Sequence, residues 1–236
     1  MADKVDPQEF WDRKISGWED GRYETSAPAT TWLEKIADWS SASLRFRMAV
    51  THSLLAPHVK GRRVVELGCG SGLLAPKLLA AGALSYQGYD ISPVAIDRAR
   101  ARIRGKDVGH TAHFDVAAID ALAPFEADLV FSLGLFDWLS DRDLQRVFEL
   151  SRGADFHHAI SEKRESLSQF LHRLYVHVAY GHRTGGYVPR YFSVDQIEAA
   201  ARPFTNKPLH VFRHRRLSFG AFVTTIPFAE GQFDGE

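Results

Sequence analysis

An apolar run that breaks over glycines at every second position constrains this chain more than any other feature. Val64-Val65-Glu66-Leu67 runs into Gly68-Cys69-Gly70-Ser71-Gly72, and Leu73-Leu74-Ala75-Pro76-Lys77-Leu78-Leu79-Ala80 follows. The pattern predicts a buried strand, a tight turn and a helix start. Glycine tolerates positive φ and lets other groups approach the backbone closely. The first helical turn then offers free N–H groups to whatever lies above the strand end. In an open α/β sheet, that crevice is where ligands bind.

A second strand is expected at Ser85-Tyr86-Gln87-Gly88-Tyr89, ending in Asp90. An acid about 20 residues beyond the glycines sits where a dinucleotide fold places its ribose-binding carboxylate. The competing reading is an acid that simply faces solvent.

Glu66-Leu67-Gly68-Cys69-Gly70-Ser71-Gly72 taken with Gly88-Tyr89-Asp90-Ile91-Ser92 resembles the class I S-adenosylmethionine-dependent methyltransferases. Their first motif is acid-x-G-x-G-x-G, and their second is an acid closing the second strand. A nicotinamide-type G-x-G-x-x-G needs glycine at position 73, which is Leu73. The resemblance covers about residues 62 to 160 well and the last third only in outline.

The resemblance implies an α/β fold, Rossmann-like and doubly wound, with a mostly parallel seven-stranded sheet and an antiparallel edge hairpin. It implies S-adenosylmethionine as cofactor, held by Glu66, Gly68, Cys69, Gly70, Asp90 and Ile91. A third strand near 111–114 ends in Asp115, where the family places an acid that accepts from the adenine amino group, beside the Val116 amide. A loop-capping aspartate is the alternative there. A fourth strand, Ala127 to Ser132, brings Ser132 and Leu133 to the point where donor and acceptor meet, with Phe136 beside them. In family terms the reaction is in-line methyl transfer to a small-molecule O or N acceptor.

The remaining sequence alternates strand and helix, as right-handed crossovers require. Ser92-Pro93 and Ser140 read as helix starts. Ser193-Val194-Asp195-Gln196 is a capping box. A fifth strand is expected over about 156–161, with His157 and His158 on opposite faces. The last two strands are expected near 209–212 and 217–226, as an edge hairpin. Residues 1–60 are expected to form a helical lid with a long helix from Trp32 to about Leu55, broken near Ser40-Ser41. Tyr23 is its cofactor-contacting candidate; simple packing is the alternative for Trp11, Trp18 and Trp32. Residues 61–236 form the core, with an acceptor-pocket insertion at about 162–192.

That insertion holds Tyr180, Arg183, Tyr187, Arg190 and Tyr191, which suit a substrate bearing carboxylate or phosphate. An ordinary surface loop explains them equally. Asp137, His172, His177 and His182 are base candidates, with Asp137 first because it follows the fourth strand. A structural cap is its competing role.

Lys+Arg and Asp+Glu are equal at 29 each. This balance, and the lack of a Pro-Pro-aromatic run after Ser132, predict a small-molecule partner and no nucleic acid. Cys69 is the single cysteine, so no internal disulfide forms. Neither a secretory leader nor a run of about 20 apolar residues is visible, which predicts a cytoplasmic protein without a membrane span. No metal-ligand spacing occurs, so a metal-free enzyme is expected. An NAD(P)-dependent oxidoreductase and a non-catalytic S-adenosylmethionine-binding protein are the rival readings. Leu73 and the absence of a Tyr-x-x-x-Lys pair oppose the oxidoreductase.

Overall fold

A computed structural model describes residues 6–12, 32–106, 111–163, 169, 189–217, 219–229 and 231–233. The strands are β1 (Arg63–Leu67), β2 (Ser85–Asp90), β3 (Ala112–Val116), β4 (Leu129–Ser132), β5 (Asp155–Ser161), β6 (His210–Phe212) and β7 (Gly220–Thr224). The helices are α1 (Trp32–Leu55), α2 (Ala75–Ala80), α3 (Pro93–Ile103), α4 (Asp141–Leu150) and α5 (Val194–Ala201). The seven strands form one sheet in the order β3-β2-β1-β4-β5-β7-β6. All pairings from β3 through β5 are parallel. β7 runs antiparallel to both β5 and β6. The fold is therefore the Rossmann-like, doubly wound sheet expected, with its antiparallel hairpin at one edge.

Both faces of the sheet are covered because the strands are apolar at successive positions. Val64, Tyr86, Phe114, Phe131 and Phe222 pack on one face with Phe46, Val50 and Leu54 of α1 and with Leu78 and Ile96. Val65, Val130, Phe156, Ile160 and Val223 pack on the other with Val147, Phe148 and Ile197. Neighbours such as Val64 and Val65 fall in opposite layers, as a two-residue side-chain period requires. The two histidines obey the same rule. His157 stacks on Phe222, whereas His158 stacks on Phe136 and Phe156.

Helix starts follow local chemistry. Ser92 Oγ accepts from the Ala95 amide at 3.1 Å, with Pro93 in the first turn. Ser140 with Asp143, and Ser193 with Gln196, form reciprocal capping boxes. α1 runs unbroken through Ser40-Ser41, contrary to the break expected there. Its second half carries Phe46, Val50, Leu54 and Leu55 into the main core, and that burial holds the helix continuous. No described helix is long and apolar enough to cross a membrane.

Candidate functional site

The strand order reverses direction at β1, because β2 and β4 flank it on opposite sides. Such a switch point opens a crevice above the carboxyl ends of the strands. A cavity of about 370 Å³ lies there, lined by residues following β1, β2, β3 and β4 and by α1.

The glycine turn forms its floor. Gly68 has φ of 70° and Gly72 has φ of 67°, a region that disfavours residues with a Cβ. A Cβ on Gly72 would also stand 2.7 Å from the Phe114 ring. The amides here have partners. Gly68 and Cys69 N–H donate to the Tyr89 carbonyl at 2.8 and 3.0 Å, and Gly72 N–H donates to the Cys69 carbonyl at 2.9 Å. Gly70 N–H donates to Asp90 Oδ2 at 2.8 Å. α2 begins only at Ala75. These four amides are thus bonded within the protein, and they precede the helix whose first turn was expected to offer free N–H groups. The turn supplies shape and close approach, and its donors hold the turn to β2.

Asp90 is the latch of that arrangement. Its Oδ1 accepts from the Ser92 amide at 2.9 Å while Oδ2 holds Gly70. Glu66 lies buried at the end of β1, accepts from the Tyr86 hydroxyl and lines the cavity. Burial, with the Glu66 charge beside it, pushes the Tyr86 phenol well above its ordinary pKa, so it stays a donor.

Among the residues expected from sequence to hold a cofactor, Glu66, Gly68, Cys69, Gly70, Asp90, Ile91 and Leu133 line this cavity together. Asp115, Val116 and Ser132 are not among its lining residues. β3 continues through Val116, one residue past Asp115. Asp115 instead accepts from Gln87 Nε2 at 3.0 Å and approaches Arg100 at 3.5 Å. The wall following β3 is made by Ala117, Ala118, Ile119 and Asp120. Ser132 is buried against His158, with Oγ and Nδ1 3.0 Å apart. Tyr23 lies outside the described residues.

Of the base and acceptor-site candidates, His172, His177, His182, Tyr180, Arg183 and Tyr187 also lie outside the described residues. Asp137 is half-buried, and its carboxylate accepts from both the amide and the hydroxyl of Ser161 at 2.8 Å. Burial raises its pKa, opposed by the Arg47 charge and the Ser161 bonds. It clips the segment after β4 to the end of β5 and does not line the cavity. Arg190 donates to the Leu139 carbonyl and to Asp141 Oδ1, both at 2.6 Å, and covers the Phe192 ring. Phe136 is fully buried against His158. Tyr191 is half-buried and lies outside the cavity lining.

Trp11, from the expected lid, and Trp138 also line the cavity, and so do Leu44, Arg47, Met48 and Asp120, which had no place in the sequence reading. Trp11 meets Trp138 edge-on with ring centres 5.1 Å apart, so the helical segment over 7–12 packs on the loop after β4. Asp120 had a signal, an acid five residues beyond Asp115. Arg47 had none, because one arginine on a long helix carries no pattern. No described cluster of three or more His, Cys, Asp or Glu is arranged to hold a metal.

Residues 65–154 match the family model for a methyltransferase domain. A tRNA U34 carboxymethyltransferase of Shewanella piezotolerans (strain WP3 / JCM 13877) is 38% identical over 87 residues, 34% of this chain and 26% of that protein. The chain thus spans about a quarter of the length of the curated relatives it matches. A magnesium protoporphyrin IX methyltransferase from Synechocystis PCC 6803, crystallised with bound S-adenosylhomocysteine, superposes with a TM-score of 0.65 at 16% identity. That match covers 92% of this chain and 96% of the other. An S-adenosylmethionine-dependent methyltransferase from Mesorhizobium loti gives 0.56 at 20% identity, covering 75% and 96%. Residues 65–154 are thus similar to a methyltransferase domain, on a fold shared with S-adenosylmethionine-dependent methyltransferases. The expectation of a small-molecule partner with no nucleic acid is overturned by the named relatives, which are tRNA enzymes.

Proposed function

We propose that this chain is a methyltransferase that binds S-adenosylmethionine in the cavity above β1 and directs its methyl group to an acceptor at the β4 end. The observation that carries the proposal is the hydrogen bond from Gly70 N–H to Asp90 Oδ2 at 2.8 Å, which joins the two sequence motifs in one cavity wall. The donor set fits the group. Asp90 and Asp120 are acceptors suited to ribose hydroxyls and an adenine amine, Glu66 is a buried acid suited to an ammonium, and Ile91, Ala117 and Ile119 suit an apolar ring face.

When bound, S-adenosylmethionine supplies a methyl group on a sulfonium that needs no further activation as a leaving group. The work left to the protein is alignment and exclusion of water. Gly68, Cys69 and Gly70 keep side-chain bulk out of the floor. Leu133, Leu135 and Trp138 form an apolar wall toward the β4 end, and Trp11 covers it. We infer that residues 1–60 act as the lid, which the lining positions of Pro7, Trp11, Leu44, Arg47 and Met48 support. The assignment of residues 162–192 to the acceptor pocket rests on sequence.

The named relatives, tRNA U34 carboxymethyltransferases, favour a tRNA nucleotide as acceptor. The apolar wall would also receive an O or N atom of a small molecule, which is the rival outcome. Incubation with methyl-tritiated S-adenosylmethionine and either total tRNA or a deproteinised metabolite extract tests both. Label in acid-precipitable RNA supports the tRNA reading, and label in the soluble fraction supports the small-molecule reading. Failure of S-adenosylhomocysteine to bind in calorimetry overturns the proposal itself.

A further inference from the structure

We propose that Arg47 receives a carboxylate carried by a ligand of this cavity. The inference deepens the methyl-transfer reading and rests on it for the choice of nucleoside probes. Four acids line the cavity, Glu66, Asp90, Asp120 and Asp143, and among the described lining residues Arg47 is the single cation. Its Nε is buried with no hydrogen-bond partner among the described residues. Asp137 feels its charge, but both Asp137 oxygens are bonded to Ser161, and no described ion pair joins the two residues. A Cβ on Gly220 would stand 2.7 Å from one terminal nitrogen of Arg47, so the guanidinium packs against the start of β7.

A buried guanidinium donor without an acceptor is costly. The group that matches its planar fork is an oxyanion bound through two parallel hydrogen bonds. One positive charge among four acids suits a monoanionic carboxylate better than a doubly charged phosphate. Position narrows the assignment further. Asp137 is tied to the end of β5, three strands from β2 in the sheet order, and Gly220 begins β7 beyond it. Three strand spacings are about 14 Å. The carboxylate therefore lies at the far end of the cavity from Asp90. It belongs either to the amino-acid end of the cofactor or to the acceptor.

Calorimetry with S-adenosylhomocysteine and 5′-methylthioadenosine, which lacks the amino-acid end, separates these sources in wild type and Arg47→Met. If the carboxylate is the cofactor's, Arg47→Met weakens S-adenosylhomocysteine at least tenfold and leaves methylthioadenosine within about twofold. If it is the acceptor's, both nucleosides keep their affinity. Benzoate titrated into S-adenosylhomocysteine-saturated protein then shifts wild-type NMR resonances and leaves those of Arg47→Met in place. Gly220→Ala keeps the charge but displaces the guanidinium, so it reproduces the same loss; it also carries the test if Arg47→Met does not fold. The proposal is overturned if the substitutions weaken both nucleosides equally. It is also overturned if they leave S-adenosylhomocysteine affinity unchanged while benzoate fails to bind wild type or binds the variants as well. If neither nucleoside binds wild type, the cofactor reading falls. Benzoate binding to unliganded protein then decides Arg47 alone: loss in Arg47→Met upholds it, and indifference overturns it.

Discussion

Replacing Asp90 by alanine separates two roles that one carboxylate performs. It accepts from the amides of Gly70 at 2.8 Å and Ser92 at 2.9 Å, and it lines the cavity. A hydrogen bond to a charged group contributes about 1.5–3 kcal/mol. Asp90 is half-buried, so water replaces part of what is lost. About 2 kcal/mol of folding stability is the expected loss, close to one full charged bond. For a chain of 236 residues, that corresponds to a drop in Tm of about 4–8 °C. Ligand binding suffers separately, because the same oxygens are the acceptors proposed for the ribose. Loss of that partner weakens S-adenosylhomocysteine by about 1–3 kcal/mol, roughly 5- to 150-fold in Kd. Asp90→Asn keeps one acceptor oxygen and falls between wild type and alanine on both axes. Thermal unfolding and titration calorimetry on the same preparations read the two effects. A Tm within about 1 °C of wild type together with unchanged affinity would refute the latch and the ribose role at once.

Gly72→Ala forces a Cβ to 2.7 Å from the Phe114 ring at a positive φ. It should destabilise by about 2–4 kcal/mol, with overpacking added to backbone strain. Gly61→Ala, also at positive φ but with open space around it, should lose only about 1 kcal/mol in chemical denaturation. Asp137→Asn retains an acceptor for the Ser161 amide, so S-adenosylhomocysteine affinity should stay within about threefold, since a difference of about 0.7 kcal/mol is all that allows; a tenfold loss would place Asp137 in the binding site. His157 is buried, and burial pushes its pKa down to about 3. The unfolded chain takes up a proton near pH 6.5 that the folded chain refuses. Stability is therefore complete above that pH and is lost progressively as pH falls toward 3. The loss at pH 5 should be about 2 kcal/mol for this one residue. Urea denaturation of His157→Gln should show a flatter dependence between pH 7 and 4.5, and a curve parallel to wild type would contradict the buried neutral imidazole.

The floor of the site was legible because it is built from local chemistry. Gly68 and Gly72 adopt a backbone that other residues disfavour, and Asp90 ends a strand whose apolar run is visible in the sequence. Ser92, Ser140 and Ser193 announce their helices through side-chain bonds to amides three residues on. Strand ends were less legible. β3 runs one residue beyond Asp115 because its pairing continues from Asp90 to Val116, and that register moves the cavity wall on to Asp120.

The sequence alone determined which segments become strands, where the glycine turn bends and which acid closes β2, since each depends on residues within a few positions of one another. Only the tertiary structure decided that Asp137 is clipped to Ser161, that Arg190 clamps the loop before α4, and that Arg47 lines the cavity with its buried Nε lacking an acceptor among the described residues. Those roles arise between residues 24 to 173 positions apart, such as Asp137 with Ser161 and Arg47 with Gly220. Their side chains meet through packing of layers, and no local pattern records which groups that packing leaves with a partner.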